Sequence, residues 1–197
     1  VIQAIEKLIS KGAVYKIDND LYFDISSDLN FGDRSHLSID QMIEIFAQRG
    51  GDPTLVGKRN KLDCLLWRAH REGEPSWDSP FGAGRPGWHI ECTAIALEYL
   101  GSSITIQGGG SDLIFPHHEM CAAQGEVMNN ATFAQYFMHT GMIGYQGEKM
   151  SKSKGNLVFV SKLREAGIDS MAIRLALLAN HYRSDREWDG DLLQNAT

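Results

Sequence analysis

The sequence predicts an α/β fold in which helices and strands alternate, with a small inserted β-containing region and a helical segment at the C-terminal end. Three observations predict it. Apolar patterning alternates between helix and strand from Trp88 to Ile143. Two short strand patterns flank the turn Asp18-Asn19-Asp20. A helical run, Met171-Ala172-Ile173-Arg174-Leu175-Ala176-Leu177-Leu178, follows Ser170.

Each element has its own signal. Residues 1–14 open on an amphipathic helix that ends near Gly12. Val14 to Ile17 and Leu21 to Ile25 read as a hairpin. Ile39 to Ala47 is a helix with Ser38 as its cap and Gly50-Gly51 as its stop. Leu62 to Arg68 reads as a strand. The Gly- and Pro-rich stretch from Gly73 to Gly87 reads as a loop and a boundary. Trp88 to Leu100 is a helix closed by Gly101, and Ser103 to Gln107 is a strand. Gly108-Gly109-Gly110 reads as a turn, and His117 to Asn129 as a helix. The apolar run Phe137 to Ile143 leads into a lysine-bearing loop. Strand and helix alternating in this way imply a parallel sheet, with functional loops at the C-terminal ends of its strands.

Composition narrows the class. With 197 residues, the chain accommodates one sizeable domain carrying a small insertion. No apolar stretch approaches a membrane-spanning length, and the first residues do not read as a signal peptide. The absence of an initiator Met makes the chain read as a piece of a longer product. A net charge of −6 weighs against an extended nucleic-acid surface. Cys64, Cys92 and Cys121 are too few and too scattered for a disulfide framework, so a reducing, cytoplasmic setting is expected.

Several residues carry candidate chemistry. Lys149 and Lys152 sit three apart on the Ser- and Gly-rich run from Gly147 to Asn156. Cations so placed suit a loop that closes over a polyphosphate and stabilises charge building on a leaving pyrophosphate. In Gln107-Gly108-Gly109-Gly110-Ser111-Asp112, the glycines admit a ligand close to the backbone. Asp112 is placed to accept hydrogen bonds from ribose hydroxyls. Cys92 lies on the helix begun by Gly87, and His117 follows the constrained pair Phe115-Pro116. Their spacing alone does not make a zinc site. Zinc sites with an open position use three protein ligands, and a thiol substrate fits the vacancy. Cys121 shares a helix face with His117 and reads either as a further ligand or as a packed thiol. Trp88 reads either as the wall of a small-substrate pocket or as core.

Taken together, four strings resemble the class I aminoacyl-tRNA synthetases, and among them the cysteinyl-tRNA synthetases and the related mycothiol cysteine ligases. They are Gly84-Arg85-Pro86-Gly87-Trp88-His89-Ile90-Glu91-Cys92, Gly108-Gly109-Gly110-Ser111-Asp112-Leu113, Phe115-Pro116-His117-His118-Glu119 and Lys149-Met150-Ser151-Lys152-Ser153. The resemblance covers essentially the whole chain. Gln107 stands where the tRNA synthetases typically carry His, and Cys121 where they carry a zinc-binding Glu; both departures resemble the ligase branch. So do Arg49-Gly50-Gly51-Asp52-Pro53 (preceded by Gln48 where that branch has Glu) and Thr140-Gly141-Met142-Ile143-Gly144.

The resemblance implies a partial Rossmann-like class I synthetase catalytic domain. Residues 1–14 would end its first half, 15–80 form an inserted connective domain, 81–150 form its second half, and 151–197 carry the end of the signature loop and the start of a helical segment. It also implies that Cys92 and His117 bind one Zn2+ per chain, and that Trp88 contacts the cysteine moiety. Gly110, Ser111 and Asp112 would contact cysteinyl-adenylate, with Ile143 near the adenine. Lys149 and Lys152 would act catalytically on ATP, with Mg2+ as its companion. In the family, a third zinc ligand and a His-Ile-Gly-His ATP motif lie in an N-terminal stretch that this sequence does not contain. The implied activity is ATP-dependent ligation of L-cysteine to glucosaminyl-inositol through cysteinyl-AMP, a step of mycothiol biosynthesis, with no tRNA and no membrane as partner. Two other readings stand beside it: a cysteinyl-tRNA synthetase, and a binding module without catalysis. The intact lysine loop and glycine run count against the second.

Overall fold

The computed structural model describes residues 1–196, which form two compact units. The first comprises Val1–Gly108 and Leu113–Met138; the second comprises Gly109–Asp112 and the chain from His139 onward.

The first unit opens with helix α1 (Ile2–Ser10), which buries Ile5 and Leu8. Strands β1 (Val14–Ile17) and β2 (Asp20–Phe23) form the expected hairpin about Asp18, whose φ is 52°. With β3 (Cys64–Ala69) and β4 (Gly84–Pro86) they make an antiparallel sheet in the order β1-β2-β3-β4. Strand β4 lies inside the stretch expected to be loop, and Trp77 bridges Gly84 there. Its pairing partner, β3, is remote in sequence, so composition alone did not show it.

Helix α2 (Ile39–Gln48) begins with a capping box. The Ser38 hydroxyl accepts from the Gln41 amide at 3.3 Å, and the Gln41 side chain accepts from the Ser38 amide at 3.0 Å. Ser38→Ala is expected to lower the stability of the full-length protein by about 1 kcal/mol. Thermal unfolding reads this directly, and an unshifted midpoint would show that other contacts hold this helix end.

Helix α3 (Trp88–Leu100) keeps the expected bounds. Gly87 positions its start: the Gly87 amide donates to the Leu66 carbonyl at 2.8 Å, and a Cβ on Gly87 would overlap the Leu65 carbonyl. Only glycine lets α3 begin so close to β3. Strand β5 (Ile104–Gly110) extends through the three glycines that were expected to turn. It pairs with β6 (Ala134–Thr140), and that long-range pairing keeps the glycines extended. The Ile104 amide donates to the Phe133 carbonyl at 2.9 Å, and Gly108 faces the Met138 carbonyl, so the two strands run in the same direction. Helix α4 (Glu119–Asn129) joins them. It starts two residues later than expected, because Ile114–His118 form a kinked turn with Phe115 extended.

Glu119 is fully buried and organises the head of α4. It accepts from the Gly32 and Ser35 amides, both at 2.9 Å, and from Arg34 at 2.8 Å. Arg34 also reaches Glu126 at 2.6 Å. A buried carboxylate needs such partners. The core beneath collects Leu8, Phe23, Leu66, Ile90, Phe115 and Met120.

The second unit holds a small sheet in the order β8-β7-β9, formed by β7 (Ile143–Tyr145), β8 (Glu148–Lys149) and β9 (Arg186–Glu187). Strand β8 is antiparallel to β7, and β9 is parallel to it. Helices α5 (Val160–Glu165), α6 (Ser170–Leu178) and α7 (Gly190–Gln194) follow, α6 capped by Asp169 and buried at Ala172, Ile173 and Ala176. Among the described residues no helix is long and apolar enough to cross a membrane.

Candidate active site

The candidate residues fall into two groups, one in each unit. In the first unit, Trp88, His89 and Cys92 occupy the first turns of α3. Trp88 and Cys92 are four residues apart and therefore share a helix face. The Trp88 ring is 47% exposed and stacks on His117, with centroids 5.0 Å apart and an interplanar angle of 18°. Trp88 therefore lies at the surface rather than in the core.

His89, which the sequence offered no role, is buried, and its Nδ1 lies 3.1 Å from His117 Nδ1. Burial, with a smaller contribution from His117, pulls the His89 imidazole down to about 3. Burial also lowers His117. Both rings are thus neutral near pH 7, and one Nδ1 donates to the other. This leaves His117 Nε2 as the nitrogen available for a further partner. Cys121 Sγ lies 4.0 Å from it.

Cys121 is a packed thiol. It is 1% exposed, its Sγ donates to the His89 carbonyl at 3.5 Å, and burial pushes it up to about 12. Cys92 instead reaches the surface. What burial it has, together with Glu91, raises its thiol. The chemistry of the pair, a surface thiol and a neutral imidazole, suits two zinc ligands. Among the described residues no group of three or more His, Cys, Asp or Glu is arranged to hold a metal.

In the second unit, Gly110, Ser111 and Asp112 end β5 and begin a short 3-10 turn, Ser111–Leu113. A Cβ on Gly110 would come within 2.7 Å of Asp112 Oδ1 and 3.1 Å of the Met142 sulfur. Ile143, half-buried, heads β7. Lys149 Nζ donates to Asp112 Oδ2 at 2.8 Å, so the structure joins two residues that the sequence assigned to different parts of a nucleotide. Lys152 is exposed at the start of a turn closed by Gly155. Asn156 holds that turn together: its side chain accepts from the Ser151 amide at 2.8 Å and donates to the Lys149 carbonyl at 3.3 Å. Lys154 pairs with Glu148 at 2.7 Å.

The model of the tRNA synthetases class I (C) catalytic domain matches residues 1–197. The chain belongs to this family. A ligase of Thermomonospora curvata, named L-cysteine:1D-myo-inositol 2-amino-2-deoxy-alpha-D-glucopyranoside ligase, is 58% identical over 198 residues, covering 100% of the chain and 48% of that protein. The ligase of the same name from Streptosporangium roseum is 60% identical over 197 residues, with the same coverage. The chain thus spans about half the length of the curated relatives it matches. Methionyl-tRNA synthetase of Mycobacterium tuberculosis, solved with methionyl-adenylate, superposes with a TM-score of 0.63 at 12% identity, over 98% of this chain and 48% of that one. At that identity the likeness speaks for the fold alone, and the fold is that of a class I synthetase catalytic domain.

Proposed function

We propose that this chain is part of an ATP-dependent ligase that joins L-cysteine to the amine of glucosaminyl-inositol, a step of mycothiol biosynthesis. The observation that carries the reading is the close identity, along essentially the whole chain, to ligases of that name. In the first step the cysteine carboxylate attacks the α-phosphorus of ATP, cysteinyl-AMP forms, and pyrophosphate leaves. The acceptor amine then attacks the activated carbonyl, the amide forms, AMP leaves, and the amine gives up a proton.

Each unit would contribute its own part. Lys149 and Lys152 place cations where pyrophosphate charge grows. Gly110, Ser111, Asp112 and Ile143 receive the adenylate, with Lys149 turning from Asp112 to phosphate. Mg2+ accompanies ATP. Trp88 lies against the cysteine moiety. Cys92 and His117 hold zinc, together with a further ligand outside the described residues. Zinc, when bound, favours a soft thiolate over a hydroxyl. Residues 15–80 then act as the connective insertion and 81–150 as the second catalytic half. The bond formed joins two small molecules, and no tRNA takes part.

Product identification with the full-length protein tests the reading. Cysteine, ATP and glucosaminyl-inositol are expected to give the amide, AMP and pyrophosphate. Cysteinyl-tRNA in place of the amide would identify a tRNA synthetase, and no turnover with either acceptor would identify a binding module. Amino acid selectivity gives a second check. Serine differs from cysteine by O for S, which shape alone discriminates poorly. Cysteine-dependent pyrophosphate exchange is expected to exceed serine-dependent exchange by several orders of magnitude, roughly the 10⁴ reached by sites that read a specific polar group. Comparable rates would refute a direct role for zinc at the thiol.

A further inference from the structure

A cleft of about 500 Å³ lies within the first unit, and Trp88 and His89 line part of it. Its other walls are the β1–β2 hairpin, the C-terminal end of α2, and β3. That volume is typical of small-molecule sites. Because the Trp88 ring also stacks on His117, the cleft adjoins the candidate thiol residues.

Two strong donors on its wall lack acceptors among the described residues. The Lys58 ammonium makes no hydrogen bond among the described residues, and lies 4.9 Å from the Phe46 ring centre and 5.6 Å from that of Tyr22. Burial lowers its pKa, against the opposing pull of Asp52 and Asp63. Arg68 Nε is buried and has no hydrogen-bond partner among the described residues. Donors left unmade in a partly dry site are costly, so an incoming acceptor gains from both.

Carboxylates share the same wall, and they differ in what they already do. Asp63 is occupied, accepting from the Tyr15 hydroxyl at 2.6 Å, the Asn60 amide at 2.8 Å and the Ile25 amide at 3.0 Å. Asp20 accepts from the Ala69 amide at 2.8 Å and from Arg71 at 3.2 Å. Asp18 and Asp52 reach the cleft from exposed turns, Asp52 also bonding Thr54. Arg49, Arg71 and Arg85 line the cleft as well, Arg71 paired with Asp20 and Arg85 with Glu74, so a small anion would satisfy Lys58 and Arg68 but offer nothing to Asp18 and Asp52. A hydroxyl accepts from the cations and donates to the carboxylates, and a protonated amine is drawn to the acids.

We propose that this cleft binds the acceptor, a polyhydroxylated amino sugar, with Lys58 and Arg68 donating to its hydroxyls and Asp18 and Asp52 facing its amine and hydroxyls. The assignment rests on the amide-forming function proposed above.

The test uses the full-length protein, its Lys58→Met and Lys58→Arg variants, and Arg68→Met. Two quantities are measured on each preparation: the KM for glucosaminyl-inositol in amide formation, and cysteine-dependent ATP–pyrophosphate exchange, which needs no acceptor. Lys58→Met and Arg68→Met are each expected to raise the acceptor KM about tenfold, the loss of one hydrogen bond from a charged donor. Lys58→Arg should recover much of that loss, and exchange should stay close to wild type. An unchanged acceptor KM overturns the proposal. So do parallel losses in both half-reactions, because the cleft would then only support the fold. Competition between inorganic phosphate and the acceptor that disappears in Lys58→Met would make this an anion site and would also overturn it. A wild-type protein that forms cysteinyl-AMP but no amide overturns the underlying function instead.

Discussion

Lys152→Ala in the full-length enzyme is expected to slow cysteine-dependent adenylation about a hundredfold or more. Removing one preorganised donor from a developing charge costs roughly 2.7–4 kcal/mol. Lys152 is exposed on a turn whose two ends Asn156 ties together, so its cation is presented outward from a formed support. Lys149 differs, since it is held 2.8 Å from Asp112. The two substitutions should therefore give different profiles: Lys149→Ala also removes the ion pair with Asp112, and its effect divides between adenylation rate and ATP affinity. Amide formation from preformed cysteinyl-AMP should be nearly normal in Lys152→Ala. A collapse of that second step with adenylation intact would assign the loop to the acceptor instead.

The second large effect concerns the metal. The Cys92→Ala, His117→Ala double variant of the full-length protein should lose zinc, from about one per chain to near none, as a single tetrahedral site requires. Cysteine activation should fall by more than about a hundredfold, since even outer-shell partners of metal ligands are worth 10- to 100-fold. Metal analysis reads the first effect and pyrophosphate exchange the second. Unchanged zinc content would show that the metal lies elsewhere. His89→Gln makes a finer comparison: its ring meets His117 at Nδ1, so losing it should weaken zinc retention while leaving both proposed ligands in place.

How far the sequence reached depended on how local the deciding contact was. Helix α3 was legible to the residue, because Gly87 and Gly101 bound an apolar run. The cap of α2 was legible because a capping box is a four-residue pattern. Strand β4 and the glycine end of β5 were not, because each is held by a strand distant in the chain. The site divided in the same way. The lysine loop announced itself as a string. His89 did not, since its contact with His117 joins residues 28 apart. The Lys149–Asp112 pair spans 37 residues and was equally hidden. Cys121 stood open between ligand and packed thiol until its burial against the His89 carbonyl was known.

The small residues of the lysine loop suggest a floppy tether, yet Asn156 makes it a finger with internal bracing. A floppy segment must surrender chain entropy when phosphate arrives, at about 1–2 kcal/mol per residue ordered. A braced one has already given up part of that freedom, because Asn156 bonds both the Ser151 amide and the Lys149 carbonyl. The difference has a thermodynamic signature. Asn156→Ala removes no cation and no proposed contact with ATP, yet nucleotide binding should become entropically less favourable while its enthalpy holds. Stiffness, in this loop, is itself a form of affinity.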